Sequence, residues 1–415
     1  MKGKKILSTL ASLVVATGLL LTTNPLKVSA ATPTASGTEA APAHVTINKH
    51  LVMPEGTITP AGAATFNFTA LTVDGETATA TNMPAIPTRT INFTTADAGT
   101  TTSGVKTVSK ESVNIVDGIT FPHAGEYIYT VTEATSGFTL TNDTDTTEEM
   151  VYSTKIYYVQ VIVANNAAGT GTYVKSISVN NYTPASGASV AVVGAKVGDD
   201  DGAEGTDFSF ENKFVRTHLN DSTNPGDTND TNLRIKKVVA GDGGDYTQYF
   251  TFTVTVNAPA VTLPTTPTTY KAVVMENNAT IDPAANGITG AGTDHVFTVT
   301  PGAAFTVKLK HNQSVVLLDA PVGSTYTASE TAVANYTASY VQTANGVAGT
   351  STTSNTVAST IIGEAANNLV MTNTKAAITP TGIVLSNLPY ILVGIFAIAG
   401  LGFLMSQKHR RSTLG

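Results

Sequence analysis

The stretch FSFENKF, residues 208–214, alternates aromatic and polar residues as a half-buried β-strand does, except that one of the aromatic positions holds a polar residue. Side chains two residues apart lie on the same face of a strand, so Phe208, Phe210 and Phe214 share a face. Asn212 falls on that face as well. Because a buried amide is costly unless it is hydrogen-bonded, we expect Asn212 to have a partner inside the fold.

The composition of the 415-residue chain is typical of an all-β protein. The sequence is rich in Thr, Val, Ala, Gly and Asn, and it contains no Cys and no Trp. β-Branched residues separated by turn residues favour strands, and no segment outside the two ends has the apolar period of a helix. The lack of Cys excludes disulfides and thiolate metal sites.

Both ends of the chain have the features of targeting segments. Residues 1–30 combine lysines, an apolar run and a small-x-small site, and they predict a secretory signal peptide cleaved after Ala30. Residues 383–405 are mostly apolar and long enough to span about 30 Å of hydrocarbon, which predicts a transmembrane helix. The basic tail that follows would place residues 31–382 outside the cell.

The residues directly before this predicted membrane helix are Pro380-Thr381-Gly382. Together with the apolar helix and the basic tail, they resemble the sorting signal of Gram-positive surface proteins, here residues 376–415. The resemblance implies that a sortase cuts between Thr381 and Gly382 and joins the threonine carbonyl to an amine. The common form is Leu-Pro-x-Thr-Gly, whereas Pro380 directly precedes Thr381 here, which leaves the class of sortase open.

The segment between the two ends is acidic. The chain has 23 Lys and Arg; without the four of the signal peptide and the three of the tail, 16 remain against 30 Asp and Glu, a net charge of −14. An acidic surface binds nucleic acid poorly, so we expect no nucleic-acid partner. Solubility outside the cell is the simpler explanation of the charge.

Breaks in the strand pattern divide this segment into two β-rich blocks. We predict a disordered Ala/Thr/Pro-rich stretch at 31–42, a first domain at 43–216, a linker at 217–231 and a second domain at 232–375. The linker lacks apolar periodicity and is rich in turn residues. Each block has a size suited to a β-sandwich.

The two blocks repeat one arrangement of polar residues on apolar strand faces. Each has an inward lysine in its first strand, an inward glutamate midway and an inward asparagine in its last strand. These residues are Lys49, Glu133 and Asn212 in the first block and Lys237, Glu330 and Asn373 in the second. One such residue could be a strand end or a snorkelling lysine, but three types recurring in order on the same faces indicate chemistry.

Burial changes the ionisation of these groups in the direction that a covalent reaction needs. It lowers the pKa of a lysine amine and raises the pKa of a carboxyl. A neutral amine can attack a carboxamide and release ammonia, which leaves an isopeptide bond, while the carboxyl moves the protons. The reaction would occur once per domain, so it is self-processing and not the activity of a turnover enzyme.

This arrangement resembles the pilin isopeptide-linkage family, the backbone pilins of Gram-positive pili. The resemblance implies two tandem Ig-like β-sandwich domains, each with its first and last strands joined by a Lys–Asn bond that an acidic residue catalyses. The implied bonds and proton shuttles are Lys49–Asn212 with Glu133 and Lys237–Asn373 with Glu330. Lys236 is adjacent to Lys237, and strand alternation places Lys237 inside.

The resemblance also implies that a surface lysine of the first domain accepts the acyl group of Thr381 from another subunit. The Tyr-Pro-Lys motif that usually contains this lysine is missing from the sequence. Lys196 is our candidate for the acceptor, and Lys175 and Lys213 are the alternatives.

These features predict the structural backbone subunit of a sortase-assembled covalent pilus, secreted and bound to the cell wall after a membrane-anchored precursor stage. The expected partners are a sortase, identical subunits, and peptidoglycan or a basal pilin; a host-surface receptor would be a further partner. The alternative is a monomeric wall-anchored or pilus-tip adhesin. The chain lacks HExxH, GxSxG and phosphate-loop motifs, and its acidic run at 199–201 lacks EF-hand spacing, so we expect no cofactor or metal.

Overall fold

The computed structural model describes residues 34–187, 189–198, 202–219, 231–377 and 381–412. Side chains are described for all of these except 381–388 and 406–412. The predicted signal peptide and the acidic run at 199–201 lie outside the described residues.

The first domain consists of two β-sheets. Its strands are β1 (Ala35–Ser36), β2 (Asn48–Pro54), β3 (Gly62–Val73), β4 (Glu76–Thr77), β5 (Arg89–Phe93), β6 (Thr100–Thr102), β7 (Val105–Glu111), β8 (Gly125–Glu133), β9 (Thr146–Val151), β10 (Ile156–Asn165), β11 (Thr172–Thr183), β12 (Val192–Lys196) and β13 (Ser209–His218). One sheet has the order β1-β11-β10-β8-β3-β4, with β12 beside β11 and β5 beside β3. The other has the order β6-β7-β2-β13-β9.

The second domain is again built from two sheets. Its strands are β14 (Leu233–Ala240), β15 (Phe250–Asn257), β16 (Tyr270–Glu276), β17 (Ala279–Ile281), β18 (Phe297–Val299), β19 (Ala304–Leu309), β20 (Gln313–Leu317), β21 (Thr325–Glu330), β22 (Thr337–Ala344), β23 (Val347–Ala348), β24 (Thr356–Ile361) and β25 (Asn367–Thr374). A 3₁₀ turn covers Pro283–Asn286. The larger sheet has the order β17-β16-β20-β14-β25-β22-β23, with β18 beside β16, and the smaller has the order β19-β15-β21-β24.

Each domain has its own hydrophobic core between its two sheets. The large core clusters of the first and second domains share no residue. Strand β13 shows why these strands form: Phe210, Asn212 and Phe214 are buried, whereas Lys213 between them is exposed. The predicted all-β, sandwich-like architecture is confirmed.

The two domains contact each other beside the end of β13. Arg216 donates hydrogen bonds to Glu148 in its own domain and to Glu364 in the second domain, each at 2.6 Å. His218 Nε2 lies 2.9 Å from the other oxygen of Glu364. A small apolar cluster joins Val215 to the second domain.

Two predicted boundaries differ from the structure. The stretch at 31–42 is not wholly disordered, because Ala35–Ser36 pairs with Ile177 and Ser176 of β11. The predicted linker at 217–231 begins too early, because β13 continues to His218 along β9. In both cases a partner strand distant in sequence orders residues that have no strand pattern of their own.

A helix, α1, covers Thr381–Ser412 and contains Pro389. It is longer at both ends than the membrane helix predicted at 383–405. Within the part of the chain that the structure describes, no helix satisfies the length and hydropathy required to cross a membrane.

Candidate isopeptide sites

The first site lies inside the first domain and joins its two sheets. Lys49 on β2 and Asn212 on β13 belong to one sheet, and Glu133 at the end of β8 belongs to the other. Lys49 Nζ lies 2.7 Å from Glu133 Oε2, and Asn212 Nδ2 lies 2.7 Å from Glu133 Oε1. The lysine and the asparagine are fully buried, and Glu133 is 7% exposed. One carboxyl therefore contacts both the amine and the amide.

The second site has the same construction. Lys237 on β14 and Asn373 on β25 lie in one sheet, and Glu330 ends β21 in the other. Lys237 Nζ lies 2.6 Å from Glu330 Oε2, and Asn373 Nδ2 donates to Glu330 Oε1. Lys237 is fully buried, whereas its neighbour Lys236 is only partly buried, in agreement with strand alternation.

The register of the strands is identical in the two sites. β2 and β13 are parallel neighbours, and Lys49 pairs with Phe210, two residues before Asn212. β14 and β25 are also parallel neighbours, and Lys237 pairs with Met371, two residues before Asn373. The structure thus brings together each predicted triad, in the same geometry, from residues far apart in the sequence.

Apolar and aromatic side chains surround both lysines. The ring of Phe66 pairs with Phe210 at 4.9 Å between centroids in the first site. Lys237 Nζ lies 4.2 Å from the ring centroid of Phe250 in the second. Burial among such side chains excludes water and disfavours the charged form of an amine, although the face of an aromatic ring by itself attracts a cation.

Burial lowers the pKa values of the two lysines and raises that of Glu133. Desolvation lowers the pKa of Lys49 to about 8, although the neighbouring Glu133 opposes the shift. Desolvation raises the pKa of Glu133 against the opposing effects of Lys49 and Asn212. It also lowers the pKa of Lys237 to about 8. Both shifts in the first site favour proton transfer from the amine to the carboxyl.

This geometry suits amide exchange within the chain. The carboxyl of Glu133 can take a proton from Lys49 Nζ at one oxygen and supply a proton to the departing Asn212 nitrogen at the other. The neutral amine then bonds to the Asn212 carbonyl carbon, and ammonia leaves. Glu330 lies between Lys237 and Asn373 in the same way.

Sequence reasoning missed one contact of the first site. The backbone N–H of Ser153, just after β9, donates to Asn212 Oδ1 at 2.8 Å. No sequence signal could have indicated it, because every residue except proline has a backbone N–H. In the second site, none of the described residues donates a hydrogen bond to Asn373 Oδ1.

The remaining predicted site residues do not belong to the two triads. Lys196 is the partly buried last residue of β12, and Lys175 and Lys213 are exposed on β11 and β13. Thr381 and Gly382 begin α1. Among the described residues, no three His, Asp or Glu side chains are grouped as a metal site requires.

The lowered pKa of Lys49 predicts a pH-dependent stability in the Asn212→Ala variant, which cannot close the bond. Burial disfavours the protonated form of Lys49 in the folded state, so the free energy of unfolding is lowered below pH 8. It rises again as the pH increases from 8 to 10.5, where the amine is neutral in both states. Relative to Asn212→Ala with Lys49→Met, the variant should gain about 3 kcal/mol across this window. Urea unfolding at each pH measures the difference; parallel curves would contradict the assignment.

The fold and these sites define a class of protein: tandem β-sandwiches, each with a buried Lys–Glu–Asn site between neighbouring parallel strands. Residues 45–215 match the family described as "Spy0128-like isopeptide containing domain", so the first domain belongs to that family. For this part of the chain, the match confirms the isopeptide-domain family recognised from the sequence. Residues 231–375 match a family described only as a domain of unknown function, DUF7601.

Solved pilus proteins are similar to this chain at low identity. The major pilin of Streptococcus pyogenes is 20% identical over 81% of this chain and 99% of its own, with a TM-score of 0.33. Another Streptococcus pyogenes major pilin is 21% identical over 80% of this chain and 98% of its own, with a TM-score of 0.30. A pilus-presented adhesin is 11% identical over 80% and 100%, with a TM-score of 0.23. A comparison with curated protein sequences found no match.

Proposed function

We infer that this chain is the structural backbone subunit of a sortase-assembled covalent pilus on a Gram-positive cell surface. Self-formed isopeptide bonds, Lys49–Asn212 and Lys237–Asn373, stabilise each subunit. One observation carries the inference: in both domains, a single buried glutamate contacts a lysine and an asparagine on neighbouring parallel strands, at the same register.

The positions of the two bonds suit a subunit that bears tension. Each bond connects the strand that opens the domain core to the strand that closes it. Tension that enters at β2 can leave through Lys49–Asn212 to β13, and residues 50–211 need not bear it. The bonds contain no sulfur, so reductants cannot open them. A backbone pilin needs this combination because every subunit in the shaft bears the full load.

Export and polymerisation follow from the two ends of the chain. Residues 1–30 direct secretion, and residues 376–415 retain the precursor at the membrane until a sortase cuts between Thr381 and Gly382. The acyl group of Thr381 then passes to a lysine of another subunit, for which Lys196 is the candidate. The last transfer goes to peptidoglycan or to a basal pilin.

Polymerisation through Thr381 predicts a ladder of covalent multimers. Cell-wall extracts boiled in detergent should give regularly spaced high-molecular-weight bands that react with antibody to this chain. Thr381→Ala, or deletion of the sortase, should abolish the ladder because no acyl-enzyme can form. A single wall-bound band from the unaltered chain would instead support the monomeric adhesin.

The acceptor lysine can be identified in the same extracts. Mass spectrometry of the digested ladder should yield a branched peptide that joins Thr381 to Lys196. Lys196→Arg should then eliminate multimers and leave the wall-anchored monomer, whereas Lys175→Arg and Lys213→Arg should polymerise normally. A junction at another lysine would refute the assignment of Lys196 but not the pilus.

A further inference from the structure

We propose that the backbone N–H of Ser153 activates the Asn212 carboxamide, and that the bond of the first domain therefore forms faster than that of the second. The inference rests on the proposed isopeptide chemistry and adds to it a hydrogen bond that orients and polarises the Asn212 amide. It also implies an order: Lys49–Asn212 closes before Lys237–Asn373 in a newly folded chain.

The hydrogen bond from Ser153 determines how the Asn212 amide is oriented. A backbone N–H can only donate, so the atom that faces it must be the carbonyl oxygen. The distance from Ser153 N to Asn212 Oδ1 is 2.8 Å. The amide nitrogen consequently faces Glu133, with 2.7 Å between Asn212 Nδ2 and Glu133 Oε1. The leaving group thus lies against the proton shuttle and the oxygen against a fixed donor.

Side-chain contacts hold Ser153 in this position. Its hydroxyl donates to Glu204 and accepts from the backbone N–H of Lys155 at 3.1 Å. Glu204 also accepts from the backbone N–H of Glu211, next to Asn212, at 3.1 Å. Glu204 therefore links the segment that contains the donor to the strand that contains the electrophile, and we assign it as a positioning residue.

The donor matters because of the charge that develops during the reaction. As the neutral Lys49 nitrogen bonds to the Asn212 carbonyl carbon, the carbonyl oxygen becomes negative. The carbon–nitrogen bond of the carboxamide then breaks, and Glu133 returns the amine proton to the leaving nitrogen as ammonia. A donor already aimed at the oxygen stabilises this charge without reorganisation.

The second domain has no corresponding hydrogen bond among its described residues, because its strands are arranged differently beside the asparagine. In the first domain β9 ends beside β13, with Val151 opposite Lys213, so the segment after β9 reaches Asn212. In the second domain, the beginning of β22 lies beside the asparagine instead, with Ala338 opposite Asn373. Among the described residues, no donor reaches Asn373 Oδ1.

A cleft occupies the corresponding place in the second domain. It has a volume of about 210 Å³, and its lining includes Glu330, Asn373, Tyr336 and Asn355. This is room for water, which occupies about 30 Å³ per molecule in the liquid. Asn373 Oδ1 is itself buried, so water in this cleft supplies it with no preorganised donor of the kind that the Ser153 N–H gives Asn212.

The first test compares the two domains within one chain. Residues 31–381 are synthesised in a cell-free system during a short pulse, samples are quenched in acid denaturant over time, and cross-linked and free peptides are quantified by mass spectrometry. We expect Lys49–Asn212 to form at least about tenfold faster than Lys237–Asn373. Equal rates, or a faster second domain, would overturn the inference. If neither bond forms, the proposed function itself fails.

The second test removes only the N–H. Lactic acid incorporated at position 153 by nonsense suppression replaces the N–H with an ester oxygen, and Ser153→Ala is the matched control with the same side chain. The ester should slow closure of Lys49–Asn212 about 100-fold relative to Ser153→Ala. The rate of Lys237–Asn373 should not change. Equal rates for ester and control would contradict the role of Ser153.

Variants of Glu204 keep the proposal testable if the ester chain folds poorly. Glu204→Ala should slow closure of the first bond, because it releases Ser153, and Glu204→Gln should restore the rate by keeping an acceptor oxygen. Thermal unfolding of both variants in the Lys49→Met background, where no bond can form, measures their structural effect separately. Slowing that merely parallels lost stability would count against positioning.

Discussion

The chain with Glu133→Gln and Glu330→Gln is expected to fold without closing either bond. Glutamine keeps the shape of the side chain, but it cannot take the proton of Lys49 or Lys237 and pass it to the leaving nitrogen. The intact mass of residues 31–381 should then equal that of the full sequence. The unaltered protein should be lighter by one ammonia per domain.

The single variants are the controls for this result. Glu133→Gln should lose only the first bond and Glu330→Gln only the second, because the two sites lie in separate cores. Peptide mapping would assign each ammonia to its lysine and asparagine. Loss of two ammonias from the double variant would show that the glutamates are not the proton shuttles.

Loss of the bonds should also lower stability markedly. In a chain-entropy model built for disulfides, closing a loop as long as that between Lys49 and Asn212 contributes roughly 5 kcal/mol. The glutamine variants also leave a free lysine amine buried without a carboxylate, and an unpaired buried charge costs about 3–5 kcal/mol. We therefore expect a large fall in the thermal midpoint, measured by calorimetry. A midpoint equal to that of the unaltered chain would contradict a structural role for the bonds.

Mechanical extension should reveal the second large effect. Pulled from its two ends, the unaltered protein should stretch only outside the bonded loops, because tension passes through Lys49–Asn212 and Lys237–Asn373. In Glu133→Gln the first domain can unfold, which releases residues 50–211 and lengthens the chain by about 550 Å at full extension. Single-molecule force spectroscopy measures this length directly.

The second domain provides the internal reference for the force experiment. In Glu133→Gln it should remain inextensible, and in Glu330→Gln the behaviour of the two domains should be reversed. Addition of a reductant should change nothing, because the chain contains no Cys. An unaltered chain that releases either loop under force would show that the bonds do not carry the load.

Strand alternation was enough to place the inward residues. Lys49 and Asn212 follow apolar neighbours at spacing two, and both proved fully buried. The choice of Lys237 over Lys236 depended on the same rule and agrees with the burial of the two residues. Alternation works here because the side-chain period of a strand is two, so that a single buried neighbour determines the face of the rest.

The failures of prediction concern residues whose structure depends on distant partners. Ala35–Ser36 has no strand pattern, yet β11 binds it at a sheet edge. His218 extends β13 because Thr146 lies opposite it. Composition and period describe only local neighbours, so they cannot report a partner strand far along the chain.

The sequence by itself determined which side chains face inward, the repetition of lysine, glutamate and asparagine in two blocks, and therefore the chemistry that is available. Only the tertiary structure decided that one carboxyl reaches both partners, because Glu133 and Glu330 come from the opposite sheet. It also decided that the Asn212 oxygen accepts a hydrogen bond from Ser153, while no described residue donates to the Asn373 oxygen. Inward direction is a local property of each strand, whereas the pairing of groups across a sandwich depends on how the two sheets pack.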